Sequence, residues 1–146
     1  MNRAELRAEG IPLPPWTKAA RRFIQKVLDA LDRKNWDLSV LFCTNRYIKS
    51  LNARYRNKDE ATDVLSFPLG ETSPGGRYLA GDIVISLDAL EENARFFKVT
   101  PDEELRRLLV HGILHLSGED HITNKAGESM LKTQEEILAL VTENVL

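Results

Sequence analysis

Thr100-Pro101-Asp102-Glu103-Glu104-Leu105-Arg106-Arg107-Leu108-Leu109-Val110-His111-Gly112-Ile113-Leu114-His115-Leu116-Ser117-Gly118 reads as one helix with both ends written into it. Thr100 supplies an N-cap hydroxyl, Pro101 takes the first helical position, and Glu103 completes a capping box with acids at the positive end of the dipole. Leu105, Leu108, Leu109 and Gly112 continue one inner face. Gly118 stops the helix, because glycine adopts the left-handed conformation that ends helices. His111 and His115 are four residues apart, so both rings leave the same face with Cβ atoms ~5–6 Å apart. Two such imidazoles can reach one metal ion at ~2.0–2.1 Å from each nitrogen. Once Gly118 turns the chain, His121 can return as a third ligand. These are the only histidines of the chain, and all lie within eleven residues. Three neutral histidines leave one tetrahedral position open for water, the layout of a catalytic site rather than a closed structural one.

Working outward, Thr17 opens a helix in which Ala20, Phe23, Ile24, Val27, Leu28 and Leu31 keep one buried stripe. Asp37–Thr44 alternates as a strand, and Asn45–Tyr55 reads as a short helix with Ile48, Leu51 and Tyr55 on its inner face. Asp63–Phe67 and Gly81–Ile85 are short apolar runs, hence strands, separated by a loop at Glu71–Gly76. Ser86 can cap a helix to about Phe97, and a last helix runs from about Lys125 to Val145 with Met130, Ile137, Leu138 and Val141 inward. Strand and helix alternate, which favours a mixed α/β layer over a sandwich.

The chain has 146 residues, enough for a single domain that folds without disulfides. Its apolar share of 42% and charged share of 29% are ordinary for a globular protein. The longest apolar run, Ile137–Val141, is far too short to cross a bilayer. Met1–Arg7 has no apolar stretch behind its charges, so no secretory signal is expected. The single cysteine, Cys43, cannot pair internally and reads as inert packing in a reducing cytosol. Twenty Lys and Arg against 22 Asp and Glu give a net charge of −2, so a nucleic acid could be held only by a local basic patch.

The spacing His111-x3-His115-x2-Gly118-x2-His121 matches the metzincin protease pattern with one departure. Those proteases place a glutamate base directly after the first histidine, where this chain has Gly112. Phosphodiester hydrolysis needs such a base less, because a metal can polarise the phosphoryl group and activate water. It does need positive charge on the non-bridging oxygens. Arg46, Lys49, Arg54, Arg56 and Lys58 supply five cations with no acid until Asp59.

His111–His121 closely resembles the signature of the bacterial YbeY endoribonucleases, the ribosomal RNA maturation factors. Two further blocks agree: Leu51-Asn52, Tyr55-Arg56, Asp59 and Thr62–Pro68, and then Gly81–Ile85. Together they cover about residues 38 to 140. The resemblance implies an α+β fold, a small mixed β-sheet packed against several helices, with a zincin-like metal-bearing helix. It implies a zinc-dependent, cytoplasmic endoribonuclease, holding one Zn2+ per chain and preferring single strands. Such an enzyme acts on ribosomal RNA, at the small-subunit rRNA 3′ end and in ribosome quality control. The small subunit and its assembly factors are then the partners, with neither DNA nor membrane expected. By residue-wise carry-over, His111, His115 and His121 are the ligands and Arg56 is the catalytic arginine. Arg46, Lys49, Arg54 and Lys58 remain RNA-binding candidates.

Asp120 and Asp63 could each accept a ligand histidine's other ring N–H, or could be a turn residue and a strand-start cap respectively. Trp16 and Trp36 flank the first helix and read as core or rim. Residues 1–15 fall outside the resemblance, as a lead-in to a single domain spanning 1–146. Two alternatives stand beside the ribonuclease: a metal-stabilised, non-catalytic ribosome-assembly factor, and a metzincin-like peptidase, against which Gly112 argues.

Overall fold

The computed structural model describes the backbone of residues 1–118 and 124–146, and the side chains of 1–118 and 129–146. Strands β1 (Arg3–Ala8), β2 (Trp36–Cys43), β3 (Val64–Thr72) and β4 (Tyr78–Ser86) are interleaved with five helices among the described residues. These are α1 (Thr17–Ala30), α2 (Asn45–Arg56), α3 (Leu87–Phe97), α4 (Pro101–Leu116) and α5 (Asn124–Leu140). The strands form one sheet in the order β1-β2-β4-β3, with β1, β2 and β4 parallel and β3 antiparallel to β4. The small mixed sheet with attendant helices is thus the α+β arrangement expected above.

Alternation along the strands separates two apolar layers. Leu6, Leu38, Val40, Phe42, Ile83 and Ile85 face the main core, which α1, α4 and α5 close with Phe23, Ile24, Leu28, Leu109, Ile113 and Met130. On the opposite face α2 covers a smaller cluster of Cys43, Ile48, Leu65 and Val84. Cys43 is fully buried there, as expected of packing, and burial pushes its thiol pKa up to about 12. Trp16 meets Phe42 edge-on at 4.9 Å and Trp36 lies 5.0 Å from Tyr78.

Four details depart from the sequence reading. Residues 3–8 of the lead-in form β1, an edge strand paired with Asp37–Phe42. Arg3, Glu5 and Arg7 alternate outward with buried Ala4 and Leu6, a charged edge that discourages pairing with other chains. Buried Asn2 aligns it, because its side chain donates to the Arg33 carbonyl (2.8 Å) and accepts from the Trp36 amide (2.9 Å). Second, β3 runs on to Thr72, through a register shift between Pro68 and Glu71. Gly81 makes that bend possible: at φ +135 it lies against the Phe67 carbonyl, where a Cβ would collide. Third, α5 ends at Leu140 rather than Val145, and the Val145 and Leu146 amides donate instead to the Asp102 carboxylate (2.6 and 2.9 Å). Fourth, Tyr55 is 60% exposed rather than on the inner face of α2.

Candidate metal centre and the arginine beside it

Helix α4 begins as its sequence dictates. Thr100 Oγ1 accepts from the Glu103 amide at 3.1 Å, and Pro101 stands at the start. Its rotation about its own axis is set at Gly112. A Cβ on Gly112 would stand 2.8 Å from Ile83 Cγ2 and 3.0 Å from Ile83 Cδ1, so the helix backbone lies directly on β4. A side chain at this position would be driven into the sheet. The catalytic glutamate of a metzincin-like peptidase therefore has no place here.

With Gly112 against the sheet, His111 and His115 emerge half-buried on the neighbouring flank. Their ring centroids are 4.7 Å apart, and their Nε2 atoms approach to 3.1 Å. Two nitrogens each ~2.0–2.1 Å from one tetrahedral ion are ~3.3–3.4 Å apart, so the pair fits a shared metal. Nδ1 of His111 lies 3.0 Å from Oε1 of Gln134 on α5. An amide oxygen only accepts, so Nδ1 carries the proton and the Nε2 lone pair is turned toward His115. Gly118, at φ +89, turns the chain just past the helix. His121 and Asp120 lie outside the described residues, and among the described residues no group of three or more His, Cys, Asp or Glu converges.

Gln134 is absent from the candidates the sequence offers, though a signal for it exists. In α5, Met130, Gln134, Ile137 and Val141 follow the i, i+4, i+7, i+11 rhythm of a buried face. A glutamine inside that rhythm must find a polar partner, since burying an unpaired amide is costly. Gln134 is indeed 1% exposed.

Arg56 ends α2, which Thr44 caps by accepting from the Tyr47 amide at 3.2 Å. Asn57 follows in the left-handed conformation, and buried Asn52 fixes the next turn. The Asn52 carbonyl accepts from the Lys58 amide (3.3 Å) and its side chain donates to the Glu60 carbonyl (2.9 Å). The Arg56 guanidinium donates to the Ser66 carbonyl at 2.9 Å, on the free edge of β3. The Ser66 hydroxyl in turn points at the Gly112 carbonyl, 3.5 Å away on α4. Arg56 is thus one strand residue removed from the helical turn that carries His111. Arg46, Lys49, Arg54 and Lys58 are all exposed on α2 and the turn beyond it, with Lys49 4.0 Å from Asp59.

The Asp63 carboxylate accepts from Asn93 Nδ2 on α3 at 3.0 Å. The same amide reaches Glu104 (3.1 Å), a buried carboxylate clamped by Arg107 through two bonds of 2.9 and 2.6 Å. The chain Asp63–Asn93–Glu104–Arg107 joins the start of β3 to α3 and α4, and Glu104 lies two turns before His111 on the same helix.

The family model described as Endoribonuclease YbeY matches residues 5–142, starting inside β1. The Endoribonuclease YbeY of Treponema denticola is 53% identical over 120 residues, covering 80% of this chain and 77% of that relative. That of Treponema pallidum (strain Nichols) is 47% identical over 143 residues, covering 95% and 89%. Among solved structures, the solution structure of TM1509 from Thermotoga maritima superposes with a TM-score of 0.61 at 30% identity, covering 93% of this chain and 89% of that one. The sequence blocks between residues 38 and 140 are therefore part of a match spanning nearly every element, and the chain belongs to the endoribonuclease YbeY family.

Proposed function

We propose that this chain is a zinc-dependent endoribonuclease that cuts single-stranded RNA, acting in the cytoplasm on the 3′ end of small-subunit ribosomal RNA and in ribosome quality control. Its partners in this reading are the small subunit and its assembly factors. The carrying observation is the pair of Nε2 atoms of His111 and His115, 3.1 Å apart on one helix flank. His111 and His115 would hold the ion with His121, the third ligand that the family resemblance implies. When bound, zinc supplies Lewis acidity toward a phosphoryl oxygen and lowers the pKa of water.

The chain's own groups do the remaining work. Gln134 keeps the His111 ring in one tautomer and orientation. Arg56 presents a planar, permanently charged fork beside the same helix, suited to paired bonds with phosphate oxygens as negative charge builds on them. Arg46, Lys49, Arg54 and Lys58 can draw the RNA backbone toward it despite the net charge of −2. Among the described residues no helix is long and apolar enough to cross a membrane.

One observation favours the assembly-factor alternative: Arg56 already has a bond within the fold, to the Ser66 carbonyl. Metal analysis of the purified protein, beside an RNA-cleavage assay of wild type and Arg56→Ala, separates the two. The ribonuclease reading expects about one zinc per chain and cleavage that collapses in the variant. Cleavage-free protein, or an Arg56→Ala variant that processes RNA normally, would reject it.

A further inference from the structure

Tyr55, near the end of α2, and Phe67, on β3 against the smaller core cluster, stand together at the sheet surface. Tyr55 is 60% exposed, and it meets Phe67 edge-on at 5.6 Å with an interplanar angle of 71°. Both rings line a cleft of about 330 Å³ on the sheet face opposite α1 and α4, floored by Leu41 and Val84. That volume lies at the small end for a ligand site (~300–1,000 Å³), which suits a single nucleotide unit rather than a duplex.

The charges around the cleft are sorted. Arg54 lies 6.0 Å from the Tyr55 ring and Arg56 6.0 Å from the Phe67 ring, with Arg7 also at the cleft wall. Within the cleft the polar groups are Asp82 and Ser39, whose hydroxyl donates to the Asp82 carboxylate. Cations beside the aromatic wall attract phosphates, whereas the Asp82 carboxylate repels them and offers acceptors to the N–H groups of a base. A single strand would thus enter base first, its backbone remaining with the arginines.

Strand β3 connects this cleft to the candidate metal centre. Successive strand residues face opposite sides of a sheet. Ser66 turns to Gly112 on α4, Phe67 turns into the cleft, and Arg56 bonds the Ser66 carbonyl on the edge between them. We infer that Tyr55 and Phe67 form a stacking platform for one base of single-stranded RNA, adjacent to the phosphate held at Arg56. The inference rests on the ribonuclease reading above and names how that enzyme grips the neighbouring nucleotide. Aromatic stacking tolerates any base, so the subsite selects for unpaired strand rather than for sequence.

The test is binding of a 2′-O-methyl single-stranded RNA oligonucleotide, with one abasic position scanned along it, to wild type, Tyr55→Phe and Tyr55→Ala. Losing one stacked base costs roughly 5- to 150-fold in affinity. Tyr55→Ala should lose that much while Tyr55→Phe binds like wild type. One abasic position should weaken wild type equally and leave Tyr55→Ala no weaker still. Tyr55→Ala binding like wild type, or an abasic penalty equal in both proteins, overturns the platform. Should Tyr55→Ala fold poorly, the scan on wild type and Tyr55→Phe decides alone, and the absence of any sensitive position rejects the inference. Cleavage of unmodified RNA by wild type is measured in parallel. A wild type that cuts RNA without these effects refutes the platform only, whereas one that neither binds nor cuts RNA refutes the ribonuclease reading as well.

Discussion

Oε1 of Gln134 lies 3.0 Å from Nδ1 of His111, so an amide on α5 determines which nitrogen of an α4 ring faces His115. The contact ties two helices together at the candidate metal centre. A ring free to spin or to change tautomer would present its lone pair toward His115 only part of the time.

Replacing Gln134 with leucine keeps the apolar bulk and removes the acceptor. Partners of this kind are typically worth 10- to 100-fold in metal affinity. Zinc affinity, measured by chelator competition, should fall by about that factor. Stability should fall by ~1–3 kcal/mol, since the Nδ1 proton loses its acceptor in a partly buried site. An unchanged zinc affinity would show that the ring needs no such partner.

Gly112→Ala tests the close approach of α4 to the sheet. Alanine improves helix propensity by ~1 kcal/mol, but its Cβ would press on Ile83 at 2.8 Å, and overpacking costs ~1–3 kcal/mol. The net expectation is a loss of up to about 2 kcal/mol in urea denaturation. Ile83→Val alone costs ~0.5–1.5 kcal/mol. The double variant should be more stable than the two losses added together, because valine lacks the Cδ1 that the new methyl would meet at 3.0 Å, while keeping the Cγ2 contact at 2.8 Å. Strict additivity would place the strain elsewhere.

The sequence was most legible where local chemistry decides structure. Thr100, Pro101 and Gly118 delimit α4 by capping, and the i, i+4 spacing of His111 and His115 requires nothing beyond the helix. Gly112 is legible as an inner-face position and as a missing glutamate; its close approach to the sheet depends on Ile83, twenty-nine residues earlier in the chain. The strand β1 is not legible locally because Arg3–Ala8 contains few strand-formers and becomes a strand through pairing with β2. Tyr55 reads as an inner-face residue because it continues the helical spacing of Ile48 and Leu51, whereas α2 ends at the sheet edge and buries only Ile48 and Asn52 fully. Gln134 needed a partner from another helix, which no local pattern names.

Cys43 carries a pH prediction. Its thiol sits in the layer under α2, where burial and the negative Asp88 push its pKa up to about 12. In the unfolded chain a cysteine ionises near ~8.5. Between about pH 9 and 12 the unfolded state loses this proton and the folded state keeps it, so stability falls as pH rises. The decline attributable to this group approaches ~1.4 kcal/mol per pH unit, and none of it operates below the unfolded pKa. Urea melts at pH 8 and pH 10 should show a larger loss for wild type than for Cys43→Ala. A thiol reagent at pH 8 should label the native protein only as fast as it opens. Equal pH dependence in the two proteins would mean that the thiol is already solvated.

Arg56→Lys separates the charge of this side chain from its shape. Wild-type Arg56 holds one bond at the β3 edge, from Nη2 to the Ser66 carbonyl at 2.9 Å. The guanidinium has five N–H donors, so this bond leaves others for phosphate oxygens. Lysine keeps the charge but cannot form two parallel bonds to a phosphate, so a role in the chemistry should not survive the exchange. Loss of one preorganised donor typically costs ~3–4 kcal/mol of transition-state stabilisation, or roughly 100- to 1000-fold in rate. Folding should be affected far less. Arg56 is exposed, and the Ser66 carbonyl at the sheet edge can be hydrated when the arginine is gone, so the expected change is within ~0.5–1 kcal/mol. Single-turnover cleavage of single-stranded RNA, read beside thermal melting and zinc content, therefore predicts a variant that folds, holds its metal and barely cuts. If Arg56→Lys cut at the wild-type rate, the fork would have no part in the reaction. If it lost metal and stability together, the bond to Ser66 would be the residue's main contribution, and the assembly-factor reading would gain by it.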